Sequence, residues 1–277
     1  MDKFLYGCIY LSAAIAVSVL LMIICYVTVR GIGSVSLEFL TTVTSARKGT
    51  VGIAGNIVNT LYIIVITLVI ATPIGVGSAI YLNEYAKPGK IVRIIEFTTE
   101  TLSGIPSIIF GLFGSVFFGT TLKLGYSLLT GALTLSLMIL PLITRNTQEA
   151  LRTVPNSYRS GALGMGATKW HMIRTILLPS AMPGIITGVI LAIGRIVGES
   201  AALLFTAGSG YLLPKAGGWL SKILQPGGTL TIQLYLSSSK AEYNVAFGIA
   251  FVLLVIVLCI NFLTKYLAKR FDVTQMK

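Results

Sequence analysis

Six stretches of this chain are apolar for close to the length a helix needs to cross a bilayer, about 20 residues. No other feature restricts the fold as much. They fall at 4–29, 61–82, 102–118, 128–144, 183–206 and 245–267. Hydrocarbon offers no partner to backbone N–H and C=O groups, so each stretch must satisfy its own and reads as a helix. With 55% of the residues hydrophobic and only 11% charged, apolar side chains exceed the needs of one soluble core. The expected fold is all-α: an integral membrane protein with six transmembrane helices. The first stretch follows Lys3 and contains Ala14-Ile15-Ala16, which resembles a cleavage site. It continues well past the roughly 7 to 15 residues of a signal-peptide core, so it reads as a retained anchor.

The net charge of +12 would suit nucleic acid if it lay on one soluble face. The basic residues instead sit in short segments between apolar runs, which argues against a nucleic-acid partner. Cytoplasmic loops carry the excess of Lys and Arg. With the amino terminus inside, thirteen of these residues are cytoplasmic and seven are outside, which places both termini in the cytoplasm. Cys8, Cys25 and Cys259 lie in apolar runs without CxxC spacing or a histidine cluster, so neither a disulfide framework nor a metal site is expected. His171 has no nucleophile motif beside it, and GxSxG, HExxH and GxGxxG are absent.

Small residues recur every fourth position at Ala71, Gly75 and Ala79, at Ser103, Ser107, Gly111, Ser115 and Gly119, and at Gly184, Gly188 and Ala192. Such stripes let helix backbones approach inside a membrane. The plainer alternative is that glycine is simply common in membrane helices.

The fifth stretch contains GRIVGESAALLFTAG, with Arg195 and Glu199 one turn apart. Taken as one continuous helix with Gly184 at 0°, Arg195 falls at about 20°, Glu199 at about 60° and Thr206 at about 40°, beside the small residues. Each unpaired charge at mid-membrane costs about 2.5 to 3.5 kcal/mol on insertion scales, and the four-residue spacing allows mutual neutralisation. The pair is either an internal brace or a functional device, and intramembrane charges that face protein are functional by default. A guanidinium binds an oxyanion in bidentate fashion, and a nearby carboxylate would keep the site from becoming a trap. Arg195, Glu199 and Thr206 are therefore the candidate residues of a substrate pathway.

Between the fourth and fifth stretches, Pro155, Asn156 and Ser157 offer a helix start, Gly164 and Gly166 a break, and Thr168 a cap for a second helix through Ile176, ahead of Pro179. In that second helix Trp170, Ile173 and Leu177 make an apolar stripe suited to a groove on a soluble partner. Gly161 and Gly166 have the separation of a phosphate-cradling loop, but Ala167 and Thr168 intervene before Lys169, so nucleotide chemistry must come from another chain. The segment 85–97 has a Pro88-Gly89 turn and an amphipathic run; it would either brace the helix pair or lie among lipid headgroups. Glu96 and Glu100 read as solvated or paired with Lys90 and Arg93.

The loop and the charged helix resemble MetI-like ABC importer permeases. The family's signature is EAA, three residues, Gly, nine residues, Ile, any residue, Leu-Pro. Ser160-Gly161-Ala162 stands in the EAA place, with Ser for Glu and Gly for Ala; Gly166 is the glycine, and Ile176, Leu178 and Pro179 close the motif. The resemblance implies a MetI-like fold in which 157–176 forms a coupling helix pair seated on an ATPase, with Ser160, Gly161, Ala162, Gly166, Trp170, Ile176, Leu178 and Pro179 as coupling residues. It also implies residues 1–60 as first helix and outer loop, a permease core over 61–267 with its coupling loop at 145–182, and a cytoplasmic tail over 268–277.

EYAKPGKIVRIIEFTTETLSGIPSIIFGLFG and GRIVGESAALLFTAG further resemble the PstA family of phosphate transport permeases. That likeness implies a subunit of the bacterial inner membrane that forms half of a path for inorganic phosphate. The implied partners are the homologous permease PstC, two copies of the ATPase PstB and the phosphate-binding protein PstS. ATP would be used by the ATPase, and this chain would hold no cofactor. Arg47 and Lys48 would attract phosphate outside or serve as ordinary loop charge, and 208–243 would help receive the binding protein. Alternatives are a permease for molybdate, tungstate or sulfate, a membrane enzyme using Glu199, and a scaffold without a path.

Overall fold

The computed structural model describes residues 2–45, 50–87, 89–214 and 218–271; Arg47 and Lys48 lie outside the described residues. The chain runs α1 (Asp2–Ile32), α2 (Leu37–Thr41), β1 (Val43–Ser45), β2 (Thr50–Ile53), α3 (Ala54–Ile80), α4 (Lys90–Gly104), α5 (Ser107–Gly114), α6 (Leu128–Thr153), α7 (Asn156–Gly164), α8 (Lys169–Met172), α9 (Leu178–Gly198), α10 (Ala201–Thr206), α11 (Leu230–Ser239) and α12 (Tyr243–Phe271). The short antiparallel hairpin, with Val43 opposite Ile53 and Ser45 opposite Thr50, is an addition to the all-α expectation. Its Thr- and Val-rich strands suit a pleated backbone, and Thr44 Oγ1 donates across it to the Gly52 carbonyl at 2.8 Å.

Five of the six expected spans are single helices of membrane-crossing length: Phe4–Ile32, Ala54–Tyr85, Leu128–Thr153, Lys169–Gly198 and Tyr243–Tyr266. The sixth is broken. Lys90–Gly104 and Ser107–Thr121 meet at a 100° bend, because Pro106 disfavours helical backbone at Ile105, which is extended at φ −72 and ψ 131. The expected span 102–118 thus begins at Ser107, and Ser103 falls off its small-residue stripe. Along α5 the buried face is Phe110, Gly111 and Gly114.

The boundaries of α3, α6 and α12 move for an identifiable reason: hydropathy marks lipid-facing length, whereas the helices continue into polar surroundings. α3 begins at Ala54 rather than 61 because the buried Asn56, Asn59 and Thr60 lower the apolar signal of its first two turns. α6 runs to Thr153 through Arg145, Glu149 and Arg152. α12 continues to Phe271, so the expected tail 268–277 is in part helix, its remainder lying outside the described residues.

α3, α6 and α9 form the centre of the bundle, with Ile63, Leu135, Ile139, Ile143, Ala192 and Ile196 in its main core. Two of the small-residue stripes serve close approach here. A Cβ on Gly75 would sit 2.8 Å from Ile143 Cγ2, one on Gly188 2.7 Å from Asn146 Cβ, and one on Gly184 2.5 Å from Ala150 Cβ. α1 lies apart, touching α12 where a Cβ on Gly31 would come within 2.7 Å of Phe251 Cβ and where the Tyr26 and Phe247 rings meet edge to face at 5.6 Å.

Candidate functional site

α9 ends where Gly194 and Gly198, both poor helix formers, precede a residue that leaves the helix. Glu199 is extended, at φ −83 and ψ 124, and its N–H turns back to the Ile196 carbonyl. The Glu199 carboxylate then accepts from the Ala202 N–H at 3.0 Å, satisfying one of the free donors that open α10. Helical phase is therefore lost at Glu199. The wheel that set Thr206 beside Arg195 holds only through Gly198, and Thr206 is corrected: it is fully buried, and its hydroxyl donates to the Ala202 carbonyl at 2.8 Å.

Arg195 and Glu199 do not pair. Their expected mutual neutralisation is replaced by the cap on Ala202, and among the described residues the Arg195 guanidinium has no carboxylate partner. Nor does Arg195 share the buried face of the small residues. Gly188, Ala192, Ile193, Ile196 and Val197 are buried, whereas Ser180, Thr187, Leu191, Gly194, Arg195 and Gly198 are exposed. This open face is mostly small or polar. The exposed faces of α3 and α12 carry Val65, Val69, Leu258 and Phe262 instead, which is what acyl chains require.

At the far end of α9 the expected helix pair is present with one change. α7 ends in a turn where Gly166 has φ +83, a conformation open to glycine, and Thr168 accepts from the His171 N–H at 3.3 Å to cap α8. The second helix does not stop at Ile176. A wide turn over Ile173–Leu177, closed by Leu178 N–H on the Ile173 carbonyl, carries it into α9, so Lys169–Gly198 is one continuous element. Such a turn rearranges the hydrogen bonds just where Pro179 offers no N–H. The expected docking stripe is also corrected: Ile173 and Leu177 are fully buried in the chain's own core with Ala162 and Met172. The surface offered outward is Tyr158, Leu163, Met165 and Trp170, with Ser160, Gly161 and Gly166 exposed among them and Ile176, Leu178 and Pro179 half-buried behind.

Sequence reasoning missed what holds this pair in place. Arg159 donates to Glu84 at 3.1 Å, with side chains only 19% and 6% exposed. It also donates to the carbonyls of Val154 at 2.8 Å and Leu151 at 2.9 Å, and Asn83 Nδ2 reaches the same carboxylate at 2.7 Å. Lys169 Nζ stands 4.9 Å from the centre of the Tyr85 ring, a cation–π contact. The turn after α3 is thereby tied to both members of the pair. Glu96 and Glu100 are paired, although with Arg152 at 3.5 Å and Arg145 at 3.0 Å from α6 rather than with Lys90 and Arg93; the polar face of α4 braces α6.

Also missed were Asn56 and Asn59. The segment after α10 dips back into the bundle, and buried irregular backbone needs partners. Asn56 Nδ2 donates to the Gly228 carbonyl at 3.0 Å, Asn59 Nδ2 to Gly210 at 3.0 Å and Gly228 at 3.1 Å, and Thr60 Oγ1 accepts from Leu230 N–H at 3.0 Å. The available signal was two Asn three residues apart, one helical face, just ahead of an apolar run.

A family model described as "Binding-protein-dependent transport system inner membrane component" matches residues 71–273. The chain belongs to this family. Like other such inner membrane components it is a multi-pass permease, a transporter subunit and not an enzyme, and it works with a binding protein and an ATPase. It is 42% identical over 207 residues to the "Probable ABC transporter permease protein YqgI" of Bacillus subtilis (strain 168), covering 75% of this chain and 70% of that one. It is 32% identical over 267 residues to the "Phosphate transport system permease protein PstA" of Haemophilus influenzae, covering 95% and 92%, and 34% identical over 236 residues to PstA of Xylella fastidiosa (strain Temecula1), covering 84% and 80%. The expected likeness to PstA is borne out. Solved structures share the fold. A chain of the MetNI methionine ABC transporter superposes with TM-score 0.60 at 22% identity over 79% of this chain and 94% of that one. One from a bacterial alginate ABC transporter superposes with TM-score 0.71 at 15% identity over 98% and 96%.

Proposed function

We propose that this permease imports inorganic phosphate, forming half of a translocation path whose other half is the homologous permease PstC. Two PstB ATPase subunits would drive it and the PstS binding protein would feed it. One observation carries the reading: among the described residues Arg195 has no carboxylate partner, and it stands on an open α9 face mostly of Gly, Ser and Thr, where a second permease or a hydrated path fits better than lipid. The PstA relatives supply the substrate. Arg195 would meet the anion, and Glu199 would stand beside it as a weakening charge. Thr206, buried within α10, is left out of the path.

In this reading both termini are cytoplasmic, α7 and α8 face the ATPase, and the outer end exposes Leu212, Trp219 and Leu220 to the binding protein. Met165 and Trp170 would enter the ATPase groove with Ser160, Gly161 and Gly166, over a base of Ala162, Ile176, Leu178 and Pro179. ATP belongs to the ATPase, and this chain holds no cofactor. ATP binding closes the ATPase dimer, the coupling pair carries that movement into α9 without a joint, and the spans reorient around the path.

The test is phosphate uptake by proteoliposomes holding the assembled complex, with molybdate and sulfate as competitors. Arg195→Gln should cut uptake at least tenfold with the complex intact. Unchanged uptake in that variant would make the arginine structural, and uptake that molybdate or sulfate displaces as well as phosphate does would reassign the substrate.

A further inference from the structure

The break at Glu199 is held from outside its own helix. Thr231, on the first turn of α11, donates its hydroxyl to the Glu199 carbonyl at 2.9 Å. A carbonyl that follows the last helical residue has no intrahelical donor, so this bond satisfies it and fixes the direction in which the chain leaves α9. The Thr231 hydroxyl has one hydrogen, already committed to Glu199. Its second contact, Thr229 Oγ1 at 2.9 Å, therefore runs from the Thr229 hydroxyl to Thr231. Thr229 in turn accepts from the Ile232 N–H at 3.4 Å, which completes a relay with a single direction.

The relay has a fixed base. Thr229 follows Gly228, whose carbonyl takes both Asn56 and Asn59, and Gly227 is packed so closely that a Cβ there would lie 2.6 Å from Leu128 Cδ2. Thr229 is 2% exposed and Thr231 9%, so water has little access to the bond between them. α3 thus anchors one end of the relay, and its other end leads to the Glu84–Arg159 pair beneath the coupling helices.

From this geometry we infer that Thr231 is a positioning residue for transport: it sets the backbone of Glu199, and through it where the carboxylate stands relative to Arg195. The inference rests on the phosphate-permease reading. A hydroxyl is required at this place, whereas volume alone is not, so Thr231→Ser should behave as the wild type and the isosteric Thr231→Val should not.

The experiment uses the complete reconstituted transporter, phosphate uptake and the yield of assembled complex. Wild-type proteoliposomes that fail to import phosphate would defeat the functional reading itself, before Thr231 is at issue. Given wild-type uptake, Thr231→Val should lower it about tenfold, the scale of one lost buried hydrogen bond, at unchanged yield, with Thr231→Ser restoring it. Combining Thr231→Val with Glu199→Gln should lose no more than Glu199→Gln alone, because both act at one point. Wild-type uptake in Thr231→Val, additive losses in the double variant, or a Thr231→Val complex that does not assemble would each overturn the assignment, the last by making the hydroxyl a folding element only.

Discussion

The Arg159 guanidinium and the Glu84 carboxylate meet at 3.1 Å, nearly out of water, and join the turn that ends α3 to α7. Arg159 is held further by two main-chain carbonyls, so neither partner is free to find another. Removing one charge strands the other. Arg159→Met should destabilise the purified complex by about 3 kcal/mol, near the lower end for a broken buried pair. Replacing both, Glu84→Gln with Arg159→Met, should recover part of that loss. Thermal unfolding of the four variants of the cycle measures it.

Glu199 has a capping role separable from its charge. Glu199→Gln keeps an acceptor for the Ala202 N–H and should change stability by a few tenths of a kcal/mol, whereas Glu199→Ala loses the cap and about 1 kcal/mol. If the carboxylate also weakens anion binding in the path, the Gln variant should hold phosphate more tightly and release it more slowly. Equal stability of the two variants would refute the cap; unchanged uptake kinetics in Glu199→Gln would confine the residue to structure.

The open face of α9 gives a steric prediction. A Cβ on Gly194 or Gly198 meets nothing within 4 Å in this chain, so Gly194→Ala should be tolerated, with a gain of up to about 1 kcal/mol in helix propensity. A large side chain should do no harm to the isolated fold but should block whatever packs there. Gly198→Trp is expected to reach the membrane in normal amount and to lose the second permease on co-purification. Retention of that partner would place the interface elsewhere.

Lys222 is 1% exposed, and among the described residues its ammonium has one partner, the Pro226 carbonyl at 3.4 Å. Burial pulls its pKa down from 10.5. The unfolded chain then binds the proton more tightly than the folded one, so stability rises with pH between the folded-state pKa and 10.5, and the penalty is greatest below that window. Lys222→Met should raise stability at neutral pH by about 1 to 3 kcal/mol and flatten the alkaline rise. Melting temperatures between pH 7 and 10.5 test both, and a destabilised Met variant would show that the lysine is held by more than its one bond.

Much of the architecture was legible in the chain because lipid imposes a simple rule on it. Apolar length located every span, and bounded the first and last to within about a turn; it missed where α3 begins on polar side chains, where Pro106 bends the chain, how far α6 runs past 144 and where the fifth helix stops at Gly198. Thr168 was readable as a cap and Gly166 as a bend because each acts on its own neighbours. Ile173, Leu177 and Trp170 show the limit of periodicity: they form one stripe, yet the protein's own core takes two of them and leaves the third outside.

What the sequence determined alone was the class of molecule, the place of its apolar stretches, the short helix pair between the fourth and fifth of them and the two charges that lipid would not tolerate without reason. Each follows from local composition or spacing. The tertiary structure decided the rest: that Glu199 leaves the helix to cap α10, that Arg195 stands without it on an open face, and that Thr206 is sealed inside. It also decided that Thr231 closes on the Glu199 carbonyl and that Asn56 and Asn59 close on a distant loop. The physical reason is that a hydrogen bond between residues 32 or 172 positions apart satisfies a backbone group whose need arises only after the helices have packed and water has been excluded from it.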